Sequence, residues 1–397
     1  MSYNTRYNLQ IMNLIKYCLI VVICFTIMSC ESGDYIDSKD TTKFLQFNNI
    51  LIDSVKLSDL FDSYELIPLR MSSSNEAVFG KISKLIAWDD RIIILDSEFT
   101  NNIFAYDSLG NFVYKLNIGK GRGEVINTED FCVVNDQLYV LDNGDKSIKI
   151  FGLDDGIFIR RIPLGHYFRG IGNLNGNLLV LSNSATNAWE IFNNNSCVIY
   201  NMKTEKIIPF HKPIRYLPYQ EFIGTSSPFT SVNGNVFFAS SFTNSIYEIE
   251  DIGKYSKIEI NFGHDGLHNH YNEIRAFQDL NKFSNNTSYI SGMVASSMDR
   301  VVYTIRNHTG TLQHLFLYTE DSSNEAYSII INDLYSLPIL YFKGHSNSKA
   351  MYTELDINML SYYIDNSENL DHTILDSLSN LDFSTTNSIL VKLIYSD

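Results

Sequence analysis

Basic residues are outnumbered in this sequence and nowhere form a run. Lys and Arg total 30 against 45 Asp and Glu, a formal net charge of −15. The first thirty residues hold Arg6 and Lys16 and no acid, so the remainder carries −17 (28 minus 45). That balance excludes a positive footprint for nucleic acid and direct attraction to an anionic bilayer. Proline is scarce, at 7 of 397 residues, and no long Ala/Glu/Lys/Arg-rich helical stretch is present. There is no C-x-x-C spacing, no H-E-x-x-H and no Gly-x-Ser-x-Gly. Redox and zinc pairs, zincin helices and nucleophile elbows are therefore without a signature. The front-end apolar block, Tyr17 to Met28, is twelve residues, short for a membrane-spanning helix.

What is present favours sheet. Hydrophobic residues make up 45%, with 25 Tyr and 25 Phe, and aromatic and β-branched side chains suit a pleated, half-buried surface. From Ile82 to Leu116 four short apolar runs are separated by polar turns: Asp89-Asp90, then Asp96, then Asp107-Ser108-Leu109-Gly110. The pattern returns near 129–164, with Asp96 matched by Asp142, 46 residues on. It recurs from Ile171 and from Thr230, and four turns share one template: DDRIIILD, NDQLYVLD, NGNLLVLS and NGNVFFAS. A repeat of this length predicts one sheet per unit in a radial array. Looser units follow at 289–318 and 339–354. Ser388 to Tyr395 reads as a closing strand that pairs with N-terminal strand material. Long insertions at 202–228, 264–286 and 355–387 are expected on the surface, where loops commonly carry binding.

The front end reads as a secretory signal. Its close, Ile27-Met28-Ser29-Cys30, is similar to a bacterial lipoprotein signal, with Cys30 as the lipidated residue. The expected organisation is a signal over 1–30, a polar tether over 31–43, and one domain over 44–397. Whether translation starts at Met1 or Met12 is open. Cys132 and Cys197 are expected as buried free thiols, a disulfide being the alternative.

Three stretches, KLSDLFDSYELIPL (56–69), KISKLIAWDDRIIILD (81–96) and NIGKGRGEV (117–125), resemble the 6-bladed β-propeller lipoproteins of Bacteroidetes. Arg122 stands where that family usually has proline. The resemblance implies an all-β, six-bladed β-propeller of four-stranded antiparallel blades, the last closed by N- and C-terminal strands. It carries no catalytic set.

Candidate site residues follow from residue chemistry. Lys120 and Arg122, in Gly119-Lys120-Gly121-Arg122-Gly123-Glu124, are able to face solvent or bind an anion, with Glu124 placed to orient them. His264, His268 and His270, beside Asp265 and Glu273, form the densest imidazole-carboxylate group. Gly266 and Asn269 favour a polar loop there over a metal site, and no metal or cofactor is expected. Asp96 and Asp142 sit at equivalent strand ends and suit a turn-accepting role better than paired acid-base chemistry. Strand alternation places only one of Arg160 and Arg161 toward solvent. Arg169 and Arg215 are candidates for lining a face. Trp88 and Trp189 are expected to pack between sheets.

Together these features lead to an expectation of a non-catalytic envelope binding or scaffold lipoprotein. It would be held at the membrane, on the outer membrane by preference, through its lipid anchor, and would present a face to a protein, peptide or glycan. The alternative is an envelope polysaccharide lyase or hydrolase with acid-base residues on that face. Enzyme status and oligomeric state are left open.

Overall fold

The structure, a computed structural model, describes residues 41–71, 77–184, 187, 192, 195–209, 228–239, 241–319, 323–334, 342–355, 360, 378 and 382–396. The signal with Cys30, most of the tether, Trp189, Arg215 and much of the insertions around 210–227 and 356–381 lie outside the described residues. So do residues 339–341.

Two strands come first, β1 (Thr41–Gln46) and β2 (Leu51–Lys56), joined by one helical turn, Phe47–Ile50. β3 (Ser63–Arg70) follows a short 3-10 turn. Four-strand meanders then succeed one another. The first is β4 (Lys84–Trp88), β5 (Arg91–Asp96), β6 (Asn102–Asp107) and β7 (Phe112–Lys115). The second is β8 (Thr128–Val134), β9 (Gln137–Asp142), β10 (Ser147–Gly152) and β11 (Phe158–Pro163). The third is β12 (Phe168–Leu174), β13 (Leu178–Asn183), β14 (Cys197–Asn201) and β15 (Lys206–Pro209). The fourth is β16 (Phe229–Val232), β17 (Asn235–Phe238), β18 (Ser245–Asp251) and β19 (Lys254–Asn261). The fifth is β20 (Tyr289–Ser296), β21 (Arg300–Arg306), β22 (Leu312–Tyr318) and β23 (Asn324–Ile331). β24 (Gly344–Ser346), β25 (Ala350–Leu355) and β26 (Thr386–Ile394) complete the chain.

The tight turns have a local cause. Asp89, Asn135, Asp136, Asn175, Gly176, Asn233 and Gly234 all adopt positive φ. Asn, Asp and Gly tolerate that conformation, and its twist suits a two-residue hairpin. Asp96 and Asp142 do related work. Asp96 accepts from the backbone N–H of Gly80, Glu98, Phe99 and Thr100. Asp142 accepts from Ile126, Asn127 and Gly144 and pairs with Lys149 at 2.6 Å. Cys132 and Cys197 are free and buried.

The strands do not form six separate four-stranded blades. Among the described residues they make five hydrogen-bonded sheets, of ten, five, four, four and three strands. The six-bladed propeller expected from the sequence is therefore corrected to an all-β, propeller-like ring of small sheets. Four of its sheets contain a complete four-strand meander. The physical reason lies in β24. At three residues it is too short to lead a sheet of its own. It pairs in parallel with both β20 and β4, which fuses two meanders into the ten-stranded sheet. What remains beside it is three-stranded, with β26 between β25 and β3.

The first strands of successive units touch in turn, β4 on β8, β8 on β12, β12 on β16, β16 on β20, and β24 on both β20 and β4. They line an axis. Apolar clusters fill the spaces between neighbouring sheets, such as Ile93, Leu95, Phe131, Val140 and Phe151 between the first and second meanders. Arg160 and Arg161 both reach solvent, against the alternation rule. They sit on edge strand β11, where the register shifts opposite Ile150 and Phe151, and they pair with Glu205 and Asp145.

Candidate functional site

A meander fixes which connections share an end. The links from β7 to β8 and from β19 to β20 leave the same end of the ring as the second-to-third-strand links within each meander. The opposite end carries tight turns such as Asp89-Asp90 and Asn233-Gly234. Two places merit a functional reading: the axis, and the loop-bearing end.

Along the axis, Lys84 opens β4. Its Nζ donates to Asp130 Oδ1 at 2.8 Å and to the Phe131 carbonyl at 2.7 Å. Asp130 is fully buried, and its Oδ2 accepts from Ile171 N at 2.8 Å. One ion pair thus ties β4, β8 and β12. Burial raises the Asp130 carboxyl above the usual carboxylate range, against the pull of Lys84. Further along, His345 on β24 places Nδ1 2.7 Å from Ser296 Oγ on β20, and Ser296 also bonds the Thr230 hydroxyl on β16. Burial, and then the charge of Lys84, push the His345 imidazole down to about 4. At the tight-turn end the Trp88 ring lies 6.3 Å from that of His345, and its Nε1 donates to Asp136 Oδ1 at 3.1 Å.

Lys84, Trp88, Thr230 and His345 border a cavity of ≈ 30 Å³, whose other walls include Ile86, Val133, Ile171 and Phe229. That is room for roughly two waters. The acid is paired with the base, and the serine hydroxyl is shared between histidine and threonine. The arrangement holds the inner strands together and admits only a small group.

At the loop-bearing end, Lys120 and Arg122 are exposed on the β7–β8 connection. Ile118 bridges Val125 there, and Glu124 Oε2 accepts from Gly121 N at 2.7 Å. A Cβ at Gly119 would fall 2.0 Å from the same carboxylate oxygen, so glycine is required for that close approach. Glu124 therefore folds the loop through its backbone.

His264, His268 and His270 sit on the β19–β20 connection, which packs through Leu267, Ile274 and Leu280 against Phe242 and Tyr289. His264 is exposed. His270 Nδ1 lies 3.0 Å from Glu273 Oε1, and its ring stacks on Phe283 at 4.6 Å. His268 is half-buried with Nδ1 unpartnered, and burial lowers its imidazole below the ordinary value. Among the described residues no three His, Cys, Asp or Glu side chains gather as a metal site. The basic pair and the histidines share an end of the ring, but on connections across it from one another, between β4 and β8 and between β16 and β20.

The sequence did not single out Glu129. Its Oε1 lies 3.1 Å from Arg169 Nε, and Asn143 Nδ2 donates to Oε2 at 3.1 Å. Burial raises this carboxyl, with Arg169 opposing. Lys146 stands 4.3 Å from the centre of the Tyr167 ring nearby in sequence. Lys84 and Asp130 were also missed. The available signal was a charged residue at the same repeat position of two inner strands, 46 residues apart.

Comparison with known proteins places the chain. The model of DUF4934, a domain of unknown function, matches residues 46–393. This match replaces the lipoprotein propeller family that the sequence resembles. A crystal structure of a candidate exported protein from Bacteroides fragilis superposes with a TM-score of 0.67 at 17% identity, covering 90% of this chain and 100% of that one. A DUF4221 family member from Bacteroides vulgatus gives 0.50 at 8% identity, covering 85% and 97%. Both likenesses concern the fold. No curated protein matches in sequence.

Proposed function

We propose that this chain, which belongs to the DUF4934 family, is a non-catalytic binding or scaffold module of the cell envelope. It presents the loop-bearing end of its ring to a protein, peptide or glycan. The observation that carries this reading is the sorting of connections, with long segments such as 262–288 at one end and links of two to five residues at the other. A rigid sheet scaffold with loops at one end suits recognition by surface complementarity. Lys120, Arg122, His264, His268 and His270 are proposed as contacts at that end. The axial cavity, at ≈ 30 Å³, is too small for a peptide or glycan, which leaves the loop-bearing end as the binding face.

Envelope placement rests on the front end of the sequence. Cys30 is proposed as the acylated residue, with 31–43 as tether. Intact-mass analysis of the membrane fraction tests this; an unacylated chain retaining residues 1–29 removes the anchor.

Arrays of envelope glycans and of peptides, probed with wild type and with Lys120→Glu/Arg122→Glu and His264→Ala/His270→Ala, test the binding reading. It expects a ligand whose signal falls in at least one variant. A ligand retained equally by all three proteins rejects the loop end as its site. Glu129 favours a second reading as a polysaccharide lyase or hydrolase, since a carboxyl raised by burial suits a general acid. Turnover of an envelope polysaccharide that Glu129→Gln abolishes would select it.

A further inference from the structure

The outer edges of the sheets are protected in two different ways. Strand β11 ends at Pro163, β15 ends at Pro209, β3 contains Pro68, and β7 is four residues long. Proline and shortness both blunt an edge, because each removes donors from the row that an incoming strand would pair with. Strands β19 (KYSKIEIN) and β23 (NEAYSIII) are eight residues each and contain no proline. They are the two outer strands that the N-terminal segment covers. β1 lies parallel to β19 from Thr41↔Ser256 to Gln46↔Asn261, and β2 lies parallel to β23 from Leu51↔Ala326 to Lys56↔Ile331. Uncovered, the Ile-rich end of β23 has the composition of an aggregating edge.

Residues 41–56 thus form a strap over two neighbouring edges, and main-chain bonds hold most of it. In β1 only Leu45 is buried, and in β2 no side chain is, with Leu51 and Val55 half-buried. Phe47 adds one firm contact, its ring 5.1 Å from that of Phe262. Immediately after the strap the chain is fixed. Leu57 and Phe61 are in the core, and Ser58 bonds Asp333 through N at 3.0 Å and Oγ at 2.7 Å. The boundary between a lightly held and a fixed segment falls at Lys56–Leu57.

We propose that the outer edges of β19 and β23 are a strand-accepting surface, filled in cis by residues 41–56 and filled in trans by the same segment of a second copy of this chain. Main-chain bonding supplies affinity, and the seats of Leu45 and Phe47 set the register, as in strand addition generally. The covalent link gives the cis strap a high effective concentration, so exchange requires that cis closure be impeded while the strap's own contacts are kept.

The test uses the full chain with Leu45→Glu and Val55→Glu, and a fluorescent peptide of residues 41–56 with the natural sequence. The variant is expected to bind the peptide, and a second chain with Asn48 and Asn49 deleted, in which one strap no longer reaches both edges, is expected to run as a concentration-dependent dimer that excess peptide returns to monomer. Wild type does neither at the same concentration. A folded variant that binds no peptide, or a folded deletion chain that stays monomeric, overturns the proposal. Hydrogen exchange on wild type covers the case in which the variant does not fold. Amides of 41–56 are expected to exchange ahead of those in β18 and β22, and exchange in step with them also overturns it.

Discussion

Replacing His345 with asparagine removes the imidazole from the axial cavity while keeping an oxygen or nitrogen within reach of Ser296. In the folded protein burial and the Lys84 charge hold this imidazole near 4, against an ordinary value of 6.5. Below pH 6.5 the unfolded chain takes up a proton that the folded protein refuses until about pH 4. Stability is therefore full above pH 6.5 and is lost as pH falls toward 4. At ~1.4 kcal/mol per pH unit that gap amounts to about 3 kcal/mol, of which about 2 kcal/mol falls between pH 7 and pH 5. Urea unfolding of wild type and of His345→Asn at both pH values isolates it, since every other histidine is common to the two proteins. The variant is expected to lose about 2 kcal/mol less than wild type between pH 7 and pH 5. Equal losses would refute the reasoning, because they would mean that His345 takes up its proton freely inside the ring.

Other consequences follow from particular contacts. Lys84→Met leaves Asp130 buried without its cation and is expected to cost about 3–5 kcal/mol in urea unfolding at neutral pH. Arg300 stands 3.5 Å from the centre of the Tyr395 ring and donates to the Leu60 carbonyl at 3.1 Å, next to the closing strand. Arg300→Ala is expected to cost about 2–4 kcal/mol, read as a fall in Tm. Gly344 has φ +77°, and a Cβ there would fall 2.5 Å from the Leu85 carbonyl oxygen. Gly344→Ala is therefore expected to destabilise by more than about 1 kcal/mol, by weakening the junction that β24 makes. Burial raises both Cys132 and Cys197 thiols. Neither is expected to react with an aromatic disulfide reagent in native protein, and both should react once it unfolds.

The sequence by itself determined the sheet character and the strands of the first, second and fourth meanders with their turns, but in the third it left β15 (Lys206–Pro209) inside the stretch 202–228 read as an insertion. These depend on interactions among near neighbours. Two-residue alternation sets the buried face, and Asp, Asn and Gly supply the positive φ at Asp89, Asn135, Asn175 and Asn233-Gly234. The roles of Asp96 and Asp142 were legible for the same reason, since most of their partners lie within a few residues or across one hairpin. Which sheets form was decided only by the tertiary structure. Nothing local in Gly344–Ser346 says that it will pair with strands on both sides, and nothing in Thr41–Lys56 names β19 and β23 as partners. The candidate site divides along the same line. Lys120, Arg122 and the histidines of 264–270 were visible as residue types, but their separation across the ring was not. The axis joins Lys84 to Asp130, His345 to Ser296, and Ser296 to Thr230, pairs 46, 49 and 66 residues apart. Only closure of the ring brings such distant positions together in a space too dry to leave them unpaired.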